Sequence, residues 1–360
     1  MGTAPAEDGT LRIGAPPRWL RLLPVVLLAA LILAQGVTPG DVELGAYYAA
    51  VAPLAALTYG VVGTALVAVA VVVVMELPVV GSGTLVGAEL GAVVLIGALS
   101  VLLAALQQRF RGRLVLARSV AEAAQLAVLA PVPGEVGKVR CAALYRAAQR
   151  GTLVGGDLYD VRSGPFGVRA LVGDVQGHGL AAVGTVAGLL GAFREAVLDQ
   201  RELCGVADRL ERRLSLDAAA AGDCELFATA LLLEFPDGGS RVRVVCQGHP
   251  PALLLRGREV LELECDPGPP LGAGPPGQAP AVPSVVTLLP GDVILAYTDG
   301  VTEARDASGA FYPLVPRLAA LLAEGADTSP DAVVDAVWED VRRYAGAIGD
   351  DVALLALAPR

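Results

Sequence analysis

Hydrophobic residues follow two different rules along this chain. Near 20–36, 44–59, 60–77 and 88–106 they run almost unbroken. A membrane-crossing helix needs ~20 apolar residues, and ~17 still suffice. The two middle runs are marginal singly and jointly too long for one span, with Gly60 and Gly63 as the natural break. This pattern predicts four short spans, the middle pair forming a tight hairpin. Beyond residue 107 the apolar positions instead alternate or recur at helical spacing. Short β-type runs occur at "VRCAALYRAA" (139–148), "GGDLYDVRSG" (155–164) and "GVRALVGDV" (167–175). Helical patterns follow at about 179–198 and 202–216. Strands then recur at "FATALLLEF", "RVRVVC", "PALLLR" and "DVILAYTD", and a helix near 330–345 precedes the last strand, "DVALLALAP". Strands in hairpin-like order with helices between them predict an antiparallel α+β domain, since regular βαβ alternation is absent. The Gly/Pro-rich residues 266–284 read as a surface loop.

Charge gives the apolar region a direction. From Leu22 to Gln108 there is no Lys or Arg, and the only charges are Asp41, Glu43, Glu76 and Glu89. Arg12, Arg18 and Arg21 precede the first run; Arg109, Arg111, Arg113 and Arg118 follow the last. Basic flanks stay in the cytoplasm, so both ends of the region are expected inside, with an even number of spans. A cleavable signal peptide over 1–36 is the competing reading, disfavoured by three further apolar runs and a basic stop. "GSGTLVG" at 81–87 resembles a glycine-rich nucleotide loop, but it lies between two apolar runs with no strand before it, so an outer turn is expected.

The expected organisation is a cytoplasmic tail over 1–19, a transmembrane region over 20–106, a linker helix over 107–130 and a catalytic domain over 131–360. In the linker, Phe110, Leu114, Ala117, Ala121, Ala124 and Val128 fall at alternating spacings of four and three, a short heptad-like seam. It reads as a spacer helix or as a signalling helix that pairs two protomers into a homodimer. Net charge over the whole chain is −10, which argues against a nucleic-acid surface. The five cysteines, Cys141, Cys204, Cys224, Cys246 and Cys265, contain no C-x-x-C pair. They read as reduced thiols, not a zinc site.

Candidate chemistry sits on carboxylates at strand ends. Asp174 closes "RALVGD", with Gly173, Gly177 and Gly179 around it. Asp157 follows two glycines, Asp299 ends "ILAYTD" before Gly300, and Asp350 and Asp351 open the last strand. Each alone is an ordinary turn signal. Four such sites in one domain could converge on one rim. The domain's only histidines are His178 and His249. An all-oxygen donor set selects Mg²⁺ or Mn²⁺. Two such ions sharing a carboxylate lower the pKa of a bridging water and make a hydroxide nucleophile for attack on phosphorus. Glycine beside the bridging Asp lets a backbone carbonyl approach an ion.

In order along the chain, "GGDLYDV", "VGDVQGHGLAA", "FATALLLEF", "CQGHPPALLL", "PPLG", "LLPGDVILAYTDGVTEARDASGAFY" and "GDDVALL" resemble the metal-dependent type 2C serine/threonine phosphatases. The likeness is greatest to the subfamily of stage II sporulation protein E, over about 139–358. This resemblance implies an αββα sandwich of two antiparallel sheets flanked by helices, preceded here by the four-helix transmembrane segment. It further implies two Mn²⁺ or Mg²⁺ ions. Asp157 resembles the ligand of the second metal, Asp174 the bridging carboxylate, and the Val175 carbonyl the neighbouring backbone ligand. Asp299 and Asp350 resemble ligands of the first metal, with Asp351 an alternate or an outer partner. Many relatives carry Lys where His178 stands, so His178 is a candidate for phosphate contact or proton donation, against a packing role in its loop. His249, before Pro250 and Pro251, is expected to fix a turn. The Arg that clamps phosphate in animal relatives falls here near Thr152, and Arg146 and Arg150 are out of step with it. The implied activity is hydrolysis of phosphoserine or phosphothreonine on proteins, typically anti-sigma-factor antagonists, at the cytoplasmic face of the cell membrane. The rival readings are a pseudophosphatase receptor that binds a regulatory protein, and a small transporter, for which Glu76 and Glu89 are the only intramembrane candidates.

Overall fold

The unbroken apolar runs fold as helices, the conformation in which a segment satisfies its own backbone groups away from water. The computed structural model describes residues 19–37, 45–76, 87–147, 155–223, 225–236, 239–274, 282–346 and 348–360. It divides into two compact units, Met1–Ala117 and Arg118–Arg360. The first unit holds α1 (Leu23–Val37), α2 (Gly45–Tyr48), α3 (Val51–Thr58), α4 (Val61–Met75) and most of α5 (Gly87–Val128). Between α3 and α4 the chain breaks at Tyr59 and Gly60, both extended. Three stretches are long and apolar enough to cross a membrane: Leu20–Val37, Leu90–Arg113 and Leu180–Asp199. Ala46–Thr58 and Val61–Met75 are shorter. Half of the Leu180–Asp199 window is buried inside the second unit, so that helix is a core element. The 81–86 turn and the acids Asp41 and Glu43 lie outside the described residues.

No break separates a linker from the last apolar run, because α5 is continuous through 107. Its C-terminal end belongs to the second unit. Ala124 and Val128 pack against Val183, and Leu129 enters the main core. Two seam positions are therefore occupied within one protomer, while Phe110 is exposed. The side chains of Leu114, Ala117 and Ala121 lie outside the described residues.

The second unit continues with β1 (Glu135–Val136), β2 (Val139–Arg146), β3 (Asp157–Gly164), β4 (Gly167–Val175), α6 (Leu180–Asp199), α7 (Leu203–Ala221), β5 (Ala228–Phe235), β6 (Arg241–Gln247) and β7 (Leu253–Arg256). After these come β8 (Glu259–Glu262), β9 (Pro267–Gly268), β10 (Ser284–Thr287), β11 (Val293–Tyr297), α8 (Asp299–Thr302), α9 (Leu314–Ala323), α10 (Pro330–Tyr344) and β12 (Val352–Pro359). One sheet runs β1-β2-β12-β11-β7-β8. The other runs β10-β6-β5-β4-β3, with β9 added in parallel to β6. All other pairings are antiparallel.

Alternation along β12 shows how the layers form. Ala353, Leu355 and Leu357 join the core between the sheets, while Val352, Leu354 and Ala356 face the cluster under α9 and α10. Both faces of the strand are buried, so its sequence reads as one apolar run. Helices α6 and α7 cover the second sheet, and Val186, Leu190, Phe193, Leu210 and Leu214 carry that contact. The architecture is the expected α+β sandwich. Cys141, Cys204, Cys246 and Cys265 are free thiols.

Candidate metal centre

Strand ends bring the carboxylates together. Asp157 opens β3 and Asp174 lies one residue from the end of β4, and the two stand directly opposite in the antiparallel register. In the other sheet, Asp299 follows β11 and Asp350 and Asp351 precede its neighbour β12. The sheets are joined at this rim by Thr298, fully buried, whose Oγ1 donates to Asp157 Oδ2 at 2.7 Å and accepts from the Ala353 amide at 2.9 Å.

Two like charges placed opposite one another on adjacent strands repel, and here burial adds to the cost. Asp157 is 3% exposed. Its carboxyl is pushed well above the usual range by burial and then by the Asp174 charge, against the Thr298 hydrogen bond. Burial also lifts Asp174 to about 7, reinforced by Asp299, Asp350 and Asp351. Asp299 is raised by burial, then by Glu303 and Asp350. No Arg or Lys figures among the main influences on these three groups. The centre is a concentration of acidic groups that raise one another.

Glycine makes room at the same point. A Cβ on Gly156 would overlap the Val175 carbonyl oxygen and sit 2.7 Å from Asp174 Oδ1. Only glycine allows these two oxygens to crowd over the backbone there. After Asp174 the chain turns sharply, with Gly177 at φ +103° and Gly179 at φ +83° leading into α6. The donor set fits hard divalent cations: acidic oxygens, a backbone carbonyl and excess negative charge. Among the described residues no group of three or more Asp, Glu, His or Cys side chains is already placed to hold a metal ion.

Asp350 and Asp351 face different surroundings. Asp351 is 3% exposed, and its Oδ2 accepts from the Tyr145 hydroxyl and, at 2.9 Å, from the Gly155 amide. Asp350 is exposed and lines a cleft of about 800 Å³ together with Gly300, Glu303, Arg305 and Asp306. Asp350 Oδ1 also accepts from the Asp351 amide at 2.8 Å. His178 is exposed in the turn before α6. His249 requires a correction: its ring does not fix a local turn but bridges the two sheets, 2.8 Å from Thr229 Oγ1 and 3.1 Å from the Tyr297 carbonyl. No sequence pattern signals that bridge, because its partners lie 20 and 48 residues away. Arg146 bonds the Tyr145 carbonyl and lies over Trp338. Thr152 and Arg150 lie outside the described residues.

The fold so described is that of PP2C phosphatases. It is similar to the PP2C phosphatase domain of SpoIIE from Bacillus subtilis (19% identity, TM-score 0.51, 61% of each chain covered). It is also similar to the SiaA PP2C domain of Pseudomonas aeruginosa (20% identity, TM-score 0.55, 71% of this chain and all of that one). A further relative comprises RsbU and RsbW domains from Mycobacterium tuberculosis (25% identity, TM-score 0.51, 64% of this chain and 63% of that one). The chain thus spans about three fifths of the Bacillus and Mycobacterium structures. The family model described as stage II sporulation protein E (SpoIIE) matches residues 164–360, more than half of the chain. The protein belongs to that family. Asp174, Asp299, Asp350 and Asp351 fall inside the matched residues, and Asp157 precedes them.

Proposed function

We propose that this chain is a metal-dependent protein serine/threonine phosphatase. The observation that carries the reading is the buried cross-strand pair Asp157–Asp174, two acids set opposite one another and both raised by burial and by neighbouring carboxylates. In this reading Asp157 would hold one divalent ion, Asp299 and Asp350 the other, Asp174 would serve both, and the Val175 carbonyl would be a neighbouring backbone ligand. Two bound Mn²⁺ or Mg²⁺ ions supply an acidified water nucleophile and positive charge for the phosphoryl group. Asp351, held by Tyr145 and Gly155, keeps the Gly155–Gly156 backbone against Val175 and Asp174. Arg305 and Glu303 line the cleft beside Asp350, where the polypeptide around a phosphorylated Ser or Thr would lie. Exposed His178 is the candidate for phosphate contact or proton donation. Anti-sigma-factor antagonists are the proposed substrates, by family analogy alone. The full-length chain should hydrolyse an aryl phosphate and a phosphoserine protein with Mn²⁺ or Mg²⁺ and lose both activities in EDTA. A folded, Mn²⁺-bound protein without turnover would instead favour a receptor that only binds its partner.

Membrane anchoring through the first unit belongs to the same proposal. Its helices turn large apolar side chains outward: Leu33, Val62, Leu66 and Leu99 are each more than half exposed, as lipid contact requires. The basic flanks orient four spans with the phosphatase domain in the cytoplasm. A reporter inserted after Gly40 should be found outside the cytoplasm, and one after Arg113 inside. An Arg113 fusion found outside would reverse the placement.

A further inference from the structure

His249 is 5% exposed and lies between the sheets. Its neighbours fix the ring's tautomer. The Tyr297 carbonyl can only accept, so Nε2 carries the hydrogen. Nδ1 is then an acceptor, and the Thr229 hydroxyl must donate to it at 2.8 Å. That hydroxyl oxygen in turn accepts the Asp174 amide at 3.2 Å. One directed chain results, from the Asp174 N–H through Thr229 and His249 to the Tyr297 carbonyl. Thr298, the next residue along, donates to Asp157. The Cys246 thiol holds the His249 carbonyl at 3.0 Å, anchoring the backbone that presents the ring.

We propose that His249 is a positioning residue of the metal centre, holding the Asp174 end of β4 in one sheet in register with the Tyr297–Thr298 end of β11 in the other. The inference rests on the metal-phosphatase reading. Bonds oriented head to tail polarise one another, so the run is stiffer than its members taken singly. Burial lowers the ring's pKa to about 4, so it stays neutral and the direction of the chain is kept at neutral pH. Groups that orient metal ligands typically change affinity or activity 10–100-fold when removed.

The test uses the full-length chain and Mn²⁺ alone. His249→Gln keeps an N–H for Tyr297 but has no acceptor at the Nδ1 position that faces Thr229, and Thr229→Val breaks the same link from the other side. Each should raise the Mn²⁺ Kd measured by calorimetry roughly 10–100-fold. The double variant should bind no more weakly than Thr229→Val alone, because that change already removes the link His249→Gln breaks, together with the bond to the Asp174 amide. KM for an aryl phosphate at saturating Mn²⁺ should change little. Nitrogen NMR of the metal-free wild type should show Nε2 protonated and Nδ1 bare. Mn²⁺ affinity within about twofold of wild type in both folded single variants, whatever their melting temperature, would leave His249 a packing residue and overturn the proposal. A protonated Nδ1, or additive losses in the double variant, would overturn it too. If His249→Gln does not fold, Thr229→Val and the NMR measurement still decide. Wild type that binds no Mn²⁺ overturns the metal reading together with this one; wild type that binds and turns over beside unchanged variants overturns this one alone.

Discussion

Asp174→Asn is expected to bring turnover to background while leaving the protein folded. Asn matches Asp in volume and keeps the backbone amide that donates to Thr229. What it removes is the one carboxylate that stands opposite Asp157 and is acted on by Asp299, Asp350 and Asp351 together. The loss should exceed the ~10–100-fold typical of outer partners, since the shared charge sets up the nucleophile. Asp351→Asn should cost about that smaller amount, because its Oδ2 is engaged by Tyr145 and Gly155. Asp157→Asn should fall between them and recover in part with excess Mn²⁺. Steady-state rates at several Mn²⁺ concentrations give the ranking. Retained turnover in folded Asp174→Asn would sink the two-metal reading.

Stabilisation by Mn²⁺ is expected to grow with pH between 5 and 8. Without metal, the folded state holds Asp174 protonated up to about 7, against an ordinary 3.8. The folded protein therefore binds a proton that the unfolded chain has released, and metal-free stability falls as pH rises through this window. Each tenfold difference in proton affinity between the two states corresponds to about 1.4 kcal/mol. Mn²⁺ takes the ionised carboxylate, so it competes with that proton less as pH rises from 5 to 8. At an ion concentration one hundred times Kd the gain is about 2.7 kcal/mol per site. His249 has the opposite sign. Its folded pKa of about 4 lies below the ordinary 6.5, so stability falls as pH drops from 6.5 towards 4. That contribution is the same with and without metal and cancels in the difference. Thermal unfolding of the full-length chain from pH 5 to 8, with and without Mn²⁺, measures the effect. A Mn²⁺ effect equal at every pH, or absent at pH 8, would remove Asp174 from the ligand set.

Much of this architecture is written locally. Short apolar runs bounded by glycine and polar residues give β3, β4 and β5 nearly to the residue, because these strands are buried on both faces over most of their length. The acidic strand ends are legible for the same reason. An Asp that stops an apolar run beside glycine is poor strand material, so its place calls for an explanation. Less legible are β8 and β10, four residues each, which exist because a neighbouring ladder holds them. The helix α9 escapes notice as well. It carries Pro316 near its start, and its apolar stripe of Leu314, Leu318 and Leu322 has meaning only against the outer face of a sheet.

What the sequence alone determined is which residues carry charge, where strands stop and which family the motifs resemble, since these depend on neighbours a few positions apart. Tertiary structure decided the rest. Adjacent in sequence, Asp350 and Asp351 are separated only by the pairing of β12 with β2, whose Tyr145 takes the second of them and leaves the first at the cleft. The register of β3 and β4 sets Asp157 against Asp174. The stacking of the sheets turns His249 from a residue before two prolines into a bridge between Thr229 and Tyr297. Such contacts join positions far apart in the chain, and a local pattern cannot encode a distance that exists only once the two sheets have packed.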